Sequence, residues 1–337
     1  MHSSEVPFIC RATKLTNGQI PSNVSTDGKV SFGGTAGRID ATTWWIVAAC
    51  WALNLDYSLE DYLLPKIKKA MAVTKAWEYN QKGFVYTPLG GNWADEYISS
   101  GYTLYDQALR YWGMRSLGSV IQDTQILEEA NELRQNIIHN FSFSHKPDGS
   151  EYHPVAYKEA YKKMDFWPST FSPAGYDSRW DLAANALALL VGLNNNVNEL
   201  ANYVNQFFEM NSSQMLPVFF PIIQPEDDEW KLLSHNYSYS FKNYPYQFHN
   251  GGSWPVFNGL LALAFTLNGR DDISKNILAS HHDNFTGNDA SKMFSEYWDV
   301  RSGEPKGVSQ LCFSAAGYIM MNTTPKEIRD VKNKILC

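Results

Sequence analysis

The sequence lacks the features that identify several common classes of protein. No apolar run reaches the roughly 18 to 20 residues of a membrane helix, and the N-terminus has no apolar signal core. An excess of positive charge is also missing. The formal net charge is −7, which argues against a nucleic-acid-binding surface. These absences predict a cytoplasmic protein with no membrane or nucleic-acid partner.

Cysteine is scarce and shows no motif. The four cysteines are Cys10, Cys50, Cys312 and Cys337. They have no paired spacing, so neither a CxxC motif nor a zinc finger is present. Cys50 and Cys312 fall in apolar runs and are expected to be buried thiols. We expect no metal and no other cofactor.

Aromatic residues, in contrast, are abundant. Phe, Trp and Tyr make up 14% of the chain, with 11 Trp and 19 Tyr, and the Trp and Tyr residues cluster near polar residues. Aromatic faces pack on the C–H faces of sugars while neighbouring polar groups bind the hydroxyls. The composition is therefore typical of a carbohydrate cleft, although ordinary core packing accounts for most of the Phe residues.

Five segments are apolar on nearly every side, and a helix of that kind is expected to be buried on every side. They are ATTWWIVAACWALNLD (41–56), GYTLYDQALRYWGM (101–114), DLAANALALLVGL (181–193), SWPVFNGLLALAFTLNG (253–269) and SQLCFSAAGYIMM (309–321). A segment with one polar face follows each of them, most clearly NVNELANYVNQFFEM after the third.

Such repeating helical hairpins predict an all-α fold, an (α/α)6-type toroid in which amphipathic helices wrap an inner ring of buried helices. We expect one catalytic domain over residues 1–337, with an irregular segment at 1–38, and no long β-sheet. Five hairpins leave a six-hairpin ring short of one pair at the N-terminus. Such a ring is truncated, open, or completed by another chain, as in a homo-oligomer.

Unusual polar residues precede each buried segment. The stretches are GRIDATTWW, NWADEYISSG, AGYDSRWD, QFHNGGSWP and FSEYWDVRSGEPKGVSQ. Helix capping explains about one polar residue in each. Because the inner helices of a toroid run parallel, these five loops are expected to meet at one end and form a pocket. Two carboxylates across one pocket suggest acetal hydrolysis, in which one protonates the leaving oxygen and the other activates water or attacks carbon.

The same blocks resemble those of the (α/α)6 glycoside hydrolases, in particular the alkaline/neutral invertases and the amylo-α-1,6-glucosidase domain of glycogen debranching enzymes. GQIPSNV and GRIDATTWWIV are similar to the first block of both, and FHNGGSWPVFNGLLALAFTLNGR is the most specific match to the invertases. GEPKGVSQ is closer to the debranching enzymes. The resemblance extends over about residues 18–322.

The resemblance implies the catalytic roles. NWADEYISSGYTLYDQALRYW looks like the general-acid block, which places Asp95 as the acid, with its neighbour Glu96 as the alternative. FSEYWDVRSGEPKGVSQ looks like the block that carries the base, Glu296. A pocket wall such as Trp93 and a neighbouring Glu96 would raise the pKa of Asp95. We predict inversion at the anomeric carbon, with the two carboxyl groups roughly 6.5–9.5 Å apart.

Ten further residues are predicted to bind a small carbohydrate substrate. They are Asp40, Trp44, Trp93, Tyr97, Arg179, Asp181, His249, Asn250, Trp254 and Gln310. Charged groups form strong hydrogen bonds to hydroxyls, but Asp40 and Arg179 are nearly as consistent with structural ion pairs. His249 is equally consistent with a structural histidine, and Gln310 would hold the base or the water.

Three functions remain in competition. The first is an inverting glycoside hydrolase acting on a small α-glucosyl or sucrose-like substrate. The second is a catalytically weak or inactive toroid that binds carbohydrate or protein, which the missing hairpin motivates. The third is a sugar epimerase, which would need paired histidines; His281 and His282 are adjacent but fall in a predicted outer helix, away from the pocket.

Overall fold

The computed structural model describes residues 17–161, 165–210, 215–286 and 292–327. These residues form eleven α-helices joined by loops with nine very short strands. The helices are α1 (Asp40–Leu55), α2 (Glu60–Ala76), α3 (Leu104–Ile121), α4 (Thr124–Phe141), α5 (Pro154–Ala160), α6 (Leu182–Leu190), α7 (Val197–Met210), α8 (Trp230–His235), α9 (Pro255–Leu267), α10 (Asp271–Thr286) and α11 (Cys312–Asn322). The five predicted inner segments correspond to α1, α3, α6, α9 and α11.

The inner helices pack side by side in chain order. α1 contacts α3, α3 contacts α6, α6 contacts α9, and α9 contacts α11. All of α6 is buried, as its continuous apolar sequence predicts. Two glycines bring α9 and α11 together, because a Cβ on Gly259 would collide with the backbone of Gly317. The five predicted inner helices therefore form a continuous arc in the described chain.

The outer helices each present one apolar stripe to this arc. α2 packs on α1, α4 on α3, and α10 on α9. In α4 the buried positions include Ala130, Leu133 and Ile137, which share one face at helical spacing. This alternation of inner and outer helices is the predicted α/α toroid. The predicted outer helix that begins at Pro325 lies mostly outside the described residues, as do Cys10 and Cys337.

The strands fasten the loops that lead into the inner helices. They are β1 (Asn23–Val24), β2 (Val30–Ser31), β3 (Tyr102–Thr103), β4 (Thr170–Ser172), β5 (Gly175–Asp177), β6 (Trp180–Asp181), β7 (Phe219–Phe220), β8 (Tyr297–Trp298) and β9 (Pro305–Lys306). All pairs are antiparallel: β1–β2, β3–β4–β5, β6–β7 and β8–β9. The expectation of no long sheet is confirmed for the described residues.

The inner helices at the two ends of the arc are less buried than predicted. On α11, Phe313 is 51% exposed and Ile319 is 67% exposed, and Cys312 is exposed as well. Leu55 at the end of α1 is 72% exposed. The predictions that α11 is buried on every side and that Cys312 is a buried thiol are therefore wrong, whereas Cys50 is buried as expected. The physical reason is that α1 and α11 each have an inner-helix neighbour on one side only, and close packing of α1 on α11 is not seen in the described part of the chain. Completion of the ring by another chain stays a prediction.

None of the helices in the described ranges is both long and apolar enough to cross a lipid bilayer.

Candidate active site

A cavity of about 1190 Å³ opens among the loops that precede α1, α3, α9 and α11 and runs along the inner helices. Seven of the twelve predicted site residues line it: Asp40, Trp44, Trp93, Asp95, His249, Trp254 and Glu296. The loop before α6 was predicted to join them, but its polar residues lie outside the cavity wall. Four of the five predicted loops therefore meet at one cavity.

The loop that carries Asp95 is fixed by side-chain amides. Asn92 accepts a hydrogen bond from the Ala94 N–H at 3.1 Å. Farther along, Asn243 donates to the carbonyl of Glu96 at 2.6 Å, and Asn236 donates to the carbonyl of Tyr97 at 2.8 Å. The bonds from Asn243 and Asn236 come from a segment about 140 positions away in the sequence. The position of the Asp95 carboxyl therefore depends on tertiary structure as well as on the local turn.

Arg38 lies between Asp40 and Asp95. Its guanidinium donates two hydrogen bonds to the buried Asp40 carboxylate, at 3.2 and 2.9 Å, while its Nη1 is 4.0 Å from Asp95 Oδ2. The Asp95 side chain is 34% exposed and is thus open to the cavity. Arg38 was not among the predicted site residues, although it stands two positions before Asp40 in the GRID block.

The pKa of Asp95 is raised from its ordinary value, chiefly because burial desolvates the carboxylate. The charge of Arg38 opposes this rise, the charges of Glu96 and Asp40 add to it, and Lys242 opposes it weakly. The predicted direction of the shift is confirmed. A carboxyl with a raised pKa retains its proton closer to neutral pH, as a general acid requires.

Glu96 lines the same cavity but is held by a second segment of chain. It is buried, its Oε1 accepts the Ser238 N–H at 3.3 Å, and its Oε2 is 3.9 Å from Lys242 Nζ. Tyr239 of this segment also lines the cavity. No sequence motif pointed to residues 236–243, because their role comes only from contact with a loop far away in the chain.

Glu296 enters the cavity from the loop between α10 and α11. It directly precedes β8, and its Oε2 accepts the Val308 N–H at 3.2 Å. Gly307 makes this approach possible, since it has a φ of +75° and any Cβ at this position would strike the Glu296 carboxylate. The β8–β9 hairpin therefore sets both the backbone and the carboxyl orientation of Glu296.

Aromatic side chains form one wall of the cavity. Trp93 stacks on Phe219 with ring centroids 5.7 Å apart, and Trp254 packs edge-to-face on Trp93 at 5.7 Å. His249 stacks on Trp254 at 5.4 Å. Burial, reinforced by the charges of Lys242 and Arg38, holds the pKa of His249 well below its usual range, so the imidazole is neutral. Among the described residues, no group hydrogen-bonds His249 Nδ1.

Five predicted site residues lie outside the cavity wall and have other positions. Arg179 pairs with Asp177 and Glu229, each at 2.9 Å, which is the ion-pair alternative considered above. Asp181 caps α6 by accepting the Ala184 N–H. Their contact with substrate, like that of the remaining three, stays a prediction.

The other three predicted site residues outside the cavity wall are Tyr97, Asn250 and Gln310. Tyr97 is fully buried and stacks on Phe219 at 4.1 Å. Asn250 is also fully buried, and its amide bridges the backbone of Ile223. Gln310 is exposed and has a φ of +56°.

Asp106 is a buried acid beneath the site that no sequence motif indicated. Asp106 lies in the first turn of α3, where burial, with a contribution from Asp40, raises its pKa to about 7 despite hydrogen bonds from Thr103, Thr87 and Asn92. Its bond to Asn92 anchors the Asp95 loop to α3. The sequence feature that could have indicated Asp106 is its position as a single acidic residue inside the apolar stretch TLYDQALRYW.

We expect replacement of Arg38 by Gln to move the alkaline limb of the activity profile to higher pH. The positive charge of Arg38 lowers the pKa of Asp95, so its removal raises that pKa, and an acid that must be protonated then works up to a higher pH. The dependence of kcat/KM on pH measures this.

Lys242→Gln is the matched control, since the same charge acts more weakly on Asp95. Lys242→Gln should also move the alkaline limb of the kcat/KM profile to higher pH, but by a smaller amount. A shift to lower pH in Arg38→Gln would contradict the assignment of this limb to Asp95.

Comparison with known proteins adds a family resemblance. A profile of the family described as "Alkaline and neutral invertase" matches residues 162–326. "Cytosolic invertase 1" of Oryza sativa subsp. japonica is 29% identical over 161 residues, which cover 46% of this chain and 27% of that protein. "Alkaline/neutral invertase C, mitochondrial" of Arabidopsis thaliana is 26% identical over 144 residues, 42% of this chain and 20% of that protein. "Probable alkaline/neutral invertase F" of Arabidopsis thaliana is 25% identical over 331 residues, 85% of this chain and 64% of that protein. The chain thus spans from a fifth to under two thirds of these relatives, and the resemblance to invertases is confirmed.

Solved structures share the fold. The GH63 mannosylglycerate hydrolase from Thermus thermophilus, in complex with Tris and D-glycerate, superposes with a TM-score of 0.62 at 14% identity, covering 94% of this chain and 87% of that chain. The rhamnosidase from Klebsiella oxytoca with rhamnose bound gives a TM-score of 0.54 at 11% identity, covering 90% of this chain and 50% of that chain. Both confirm the helical toroid.

Proposed function

We propose that this chain is a glycoside hydrolase that inverts the anomeric centre, with Asp95 as general acid and Glu296 as general base. The observation that carries the proposal is that these two carboxyl groups, 201 positions apart in the sequence, line one aromatic-walled cavity at the N-terminal end of the inner helices. The invertase match over residues 162–326, which include Glu296, supports the same reaction class.

The two carboxyl groups have environments suited to different roles. Asp95 lies in a desolvated site with Glu96 and Asp40 nearby, so its pKa is raised, which is the direction that a general acid needs. Glu296 accepts a backbone N–H from Val308, which fixes the direction of its carboxyl group in the cavity wall. A base that activates water must be held in a fixed position, which supports the assignment of Glu296.

The cavity wall offers both kinds of group that a small carbohydrate needs. Trp93 and Trp254 offer apolar faces for a sugar ring, while Asp40, Arg38 and the neutral His249 offer groups for hydroxyls. We propose a small α-glucosyl or sucrose-like substrate. A cytoplasmic location stays a prediction, because the relatives' names include both cytosolic and mitochondrial proteins.

A hydrolysis screen tests the proposal directly. Sucrose, maltose, isomaltose, malto-oligosaccharides and glucosylglycerate would be offered to the wild-type protein, with the released sugar followed by NMR. We expect turnover of one of these, and the first-formed anomer opposite in configuration to the substrate. A first product of retained configuration would exclude inversion, and the absence of all turnover would exclude hydrolysis of this substrate class.

Gly307→Ala should lower kcat by about 10- to 100-fold with little change in KM. The added Cβ collides with the Glu296 carboxylate, and the backbone φ of +75° is strained for alanine. A displaced base loses the geometry needed in the transition state. Steady-state kinetics measure the effect.

Gly303→Ala is the matched control for Gly307→Ala. Gly303 has a similar φ of +70° in the same hairpin, but a Cβ there meets nothing within 4 Å. Equal losses in the two variants would mean that backbone strain, rather than the Glu296 contact, is responsible.

A carbohydrate-binding toroid without catalysis is the second candidate. The exposed apolar faces of α1 and α11 at the open side of the arc favour it, since they leave one flank of the cavity without a helical hairpin in the described chain. Sugar binding without turnover in the same screen would support it. The epimerase alternative fits less well, because His249 is the one histidine of the described residues in the cavity wall, while His281 is buried in α10 against Ser253.

A further inference from the structure

A second cluster of ligating side chains lies in the outer layer, away from the proposed catalytic cavity. It consists of His139, His145, Asp148 and Glu151. One donor atom of each, an imidazole nitrogen or a carboxylate oxygen, lies within 4.8 Å of all the others. We propose that these four residues bind one divalent transition-metal ion, with zinc as the best match.

The scaffold brings the four donors together from two elements. His139 lies in the last turn of α4, and the other three follow in the loop that leads to α5. The Glu151 side chain is fully buried, and its two oxygens accept the Asp148 and Gly149 N–H groups, each at 3.0 Å. Glu151 therefore shapes the loop and at the same time presents a fixed carboxylate to the cluster.

A hydrogen bond on the Nδ1 side of the ring orients His145. Its Nδ1 is 3.2 Å from the hydroxyl of Tyr157, which is fully buried, and its Nε2 faces Glu151 Oε1 at 3.3 Å. Metal-binding histidines are commonly held in this way, with one ring nitrogen on a neighbouring polar group and the other on the ion. His139 Nε2 lies 2.9 Å from the hydroxyl of Ser150, which stands between Asp148 and Glu151 in the sequence.

Coordination of one ion needs the donor atoms to move closer together and one imidazole ring to turn. Zinc bonds of about 2.0 to 2.2 Å place tetrahedral donors about 3.4 Å apart. The two imidazoles are stacked with centroids 4.1 Å apart and planes 15° from parallel, so one ring must turn to direct both lone pairs at one ion. His139 is the ring to turn, since its Nε2 contacts only the exposed Ser150 among the hydrogen bonds of the described residues. Tyr157 and Glu151, in contrast, hold both nitrogens of His145.

The chemistry of the donors selects the class of ion. Two imidazole nitrogens with two carboxylate oxygens suit zinc and its neighbours in the first transition row, whereas calcium and magnesium take oxygen donors. A polar pocket of about 360 Å³ borders His139, Ser150 and Glu151 and provides an entry path. An ion here would link the end of α4 to the loop before α5, a structural role that is independent of the proposed hydrolase activity.

Titration of the chelator-stripped full chain with Zn²⁺, followed by calorimetry, tests the site. We expect one ion per chain with a Kd in the micromolar range or tighter, and a rise in Tm with added Zn²⁺. His139→Gln and His145→Gln should each weaken binding by at least about 10-fold. Co²⁺ added in place of Zn²⁺ should give visible absorption bands typical of nitrogen and oxygen ligands.

His235→Gln is the matched control, because His235 is also near the end of a helix but bonds only the carbonyl of Lys231 among the described contacts. It should leave Zn²⁺ binding unchanged. Asp148→Asn, at an exposed position, provides a further test if a histidine variant fails to fold, and should also weaken binding. Absence of stoichiometric binding, equal binding by all variants (an adventitious ion only), or tighter binding of Ca²⁺ than of Zn²⁺ would overturn the proposal.

Discussion

Replacement of Asp95 by Asn is expected to reduce kcat by about 10³-fold on substrates whose leaving group is a sugar. General acid catalysis contributes on the order of 10² to 10⁴ in rate, and an amide cannot supply the proton. KM should change little, because Asn is nearly isosteric and the Asp95 side chain is 34% exposed at the cavity surface. Steady-state kinetics on the substrate identified by the screen measure both constants.

A change of leaving group distinguishes loss of the proposed general acid from general damage to the protein. A glycosyl fluoride departs with little need for a proton, so Asp95→Asn should hydrolyse it within about 10-fold of the wild-type rate. Glu96→Gln is the parallel variant and tests the alternative acid. A large loss on the sugar substrate with recovery on the fluoride in Glu96→Gln, but not in Asp95→Asn, would exchange the two roles.

The interior of the toroid could be predicted from sequence because burial on every side has a clear signature. Segments such as LAANALALL in α6 contain no polar face, and the structure buries all of it. The same composition misled the interpretation of α11. Whether a helix face is covered depends on another element, and the apolar surface of Phe313 and Ile319 is exposed because the described chain packs no inner helix there.

The site was predictable to the extent that helix order determines it. Loops that precede parallel inner helices share one end of the toroid, so Asp95, His249 and Glu296 were expected to converge, and all three line the cavity. The loop before α6 was treated in the same way, but Arg179 turns to Glu229, fifty positions later. An ion pair over that separation has no local sequence signature.

The charged residues around Asp95 show again that contacts between distant segments have no local sequence signature. Glu96 was evident as an adjacent residue, and Arg38 stood in a recognised block. Lys242 acts on Asp95 and Glu96 through a segment that contacts the loop only in the folded chain. Because the pKa of Asp95 results from opposing contributions of burial and charge, the sequence could predict the direction of its shift but not all the charged residues that moderate it.

Replacement of Glu296 by Gln is expected to reduce kcat by about 10³-fold on every substrate, the glycosyl fluoride included. An amide cannot take the proton of the attacking water, and that step is needed whatever group departs. Gln keeps an oxygen that accepts the Val308 N–H, so the β8–β9 hairpin should retain its structure and Tm should not change. Kinetics with both substrate types and thermal unfolding measure these effects.

The comparison of the two variants separates an acid from a base within one cavity. Asp95→Asn should regain activity on the fluoride, whereas Glu296→Gln should not, since only the proposed acid acts on the leaving group. Glu304→Gln is the control in the same hairpin, where the carboxylate is exposed and pairs with Lys306 at 3.1 Å; it should retain wild-type kinetics. If Glu296→Gln hydrolysed the fluoride at the wild-type rate, Glu296 would not be the base, and the cavity would need another carboxylate, with Asp40 and Glu96 as the remaining described candidates in its wall.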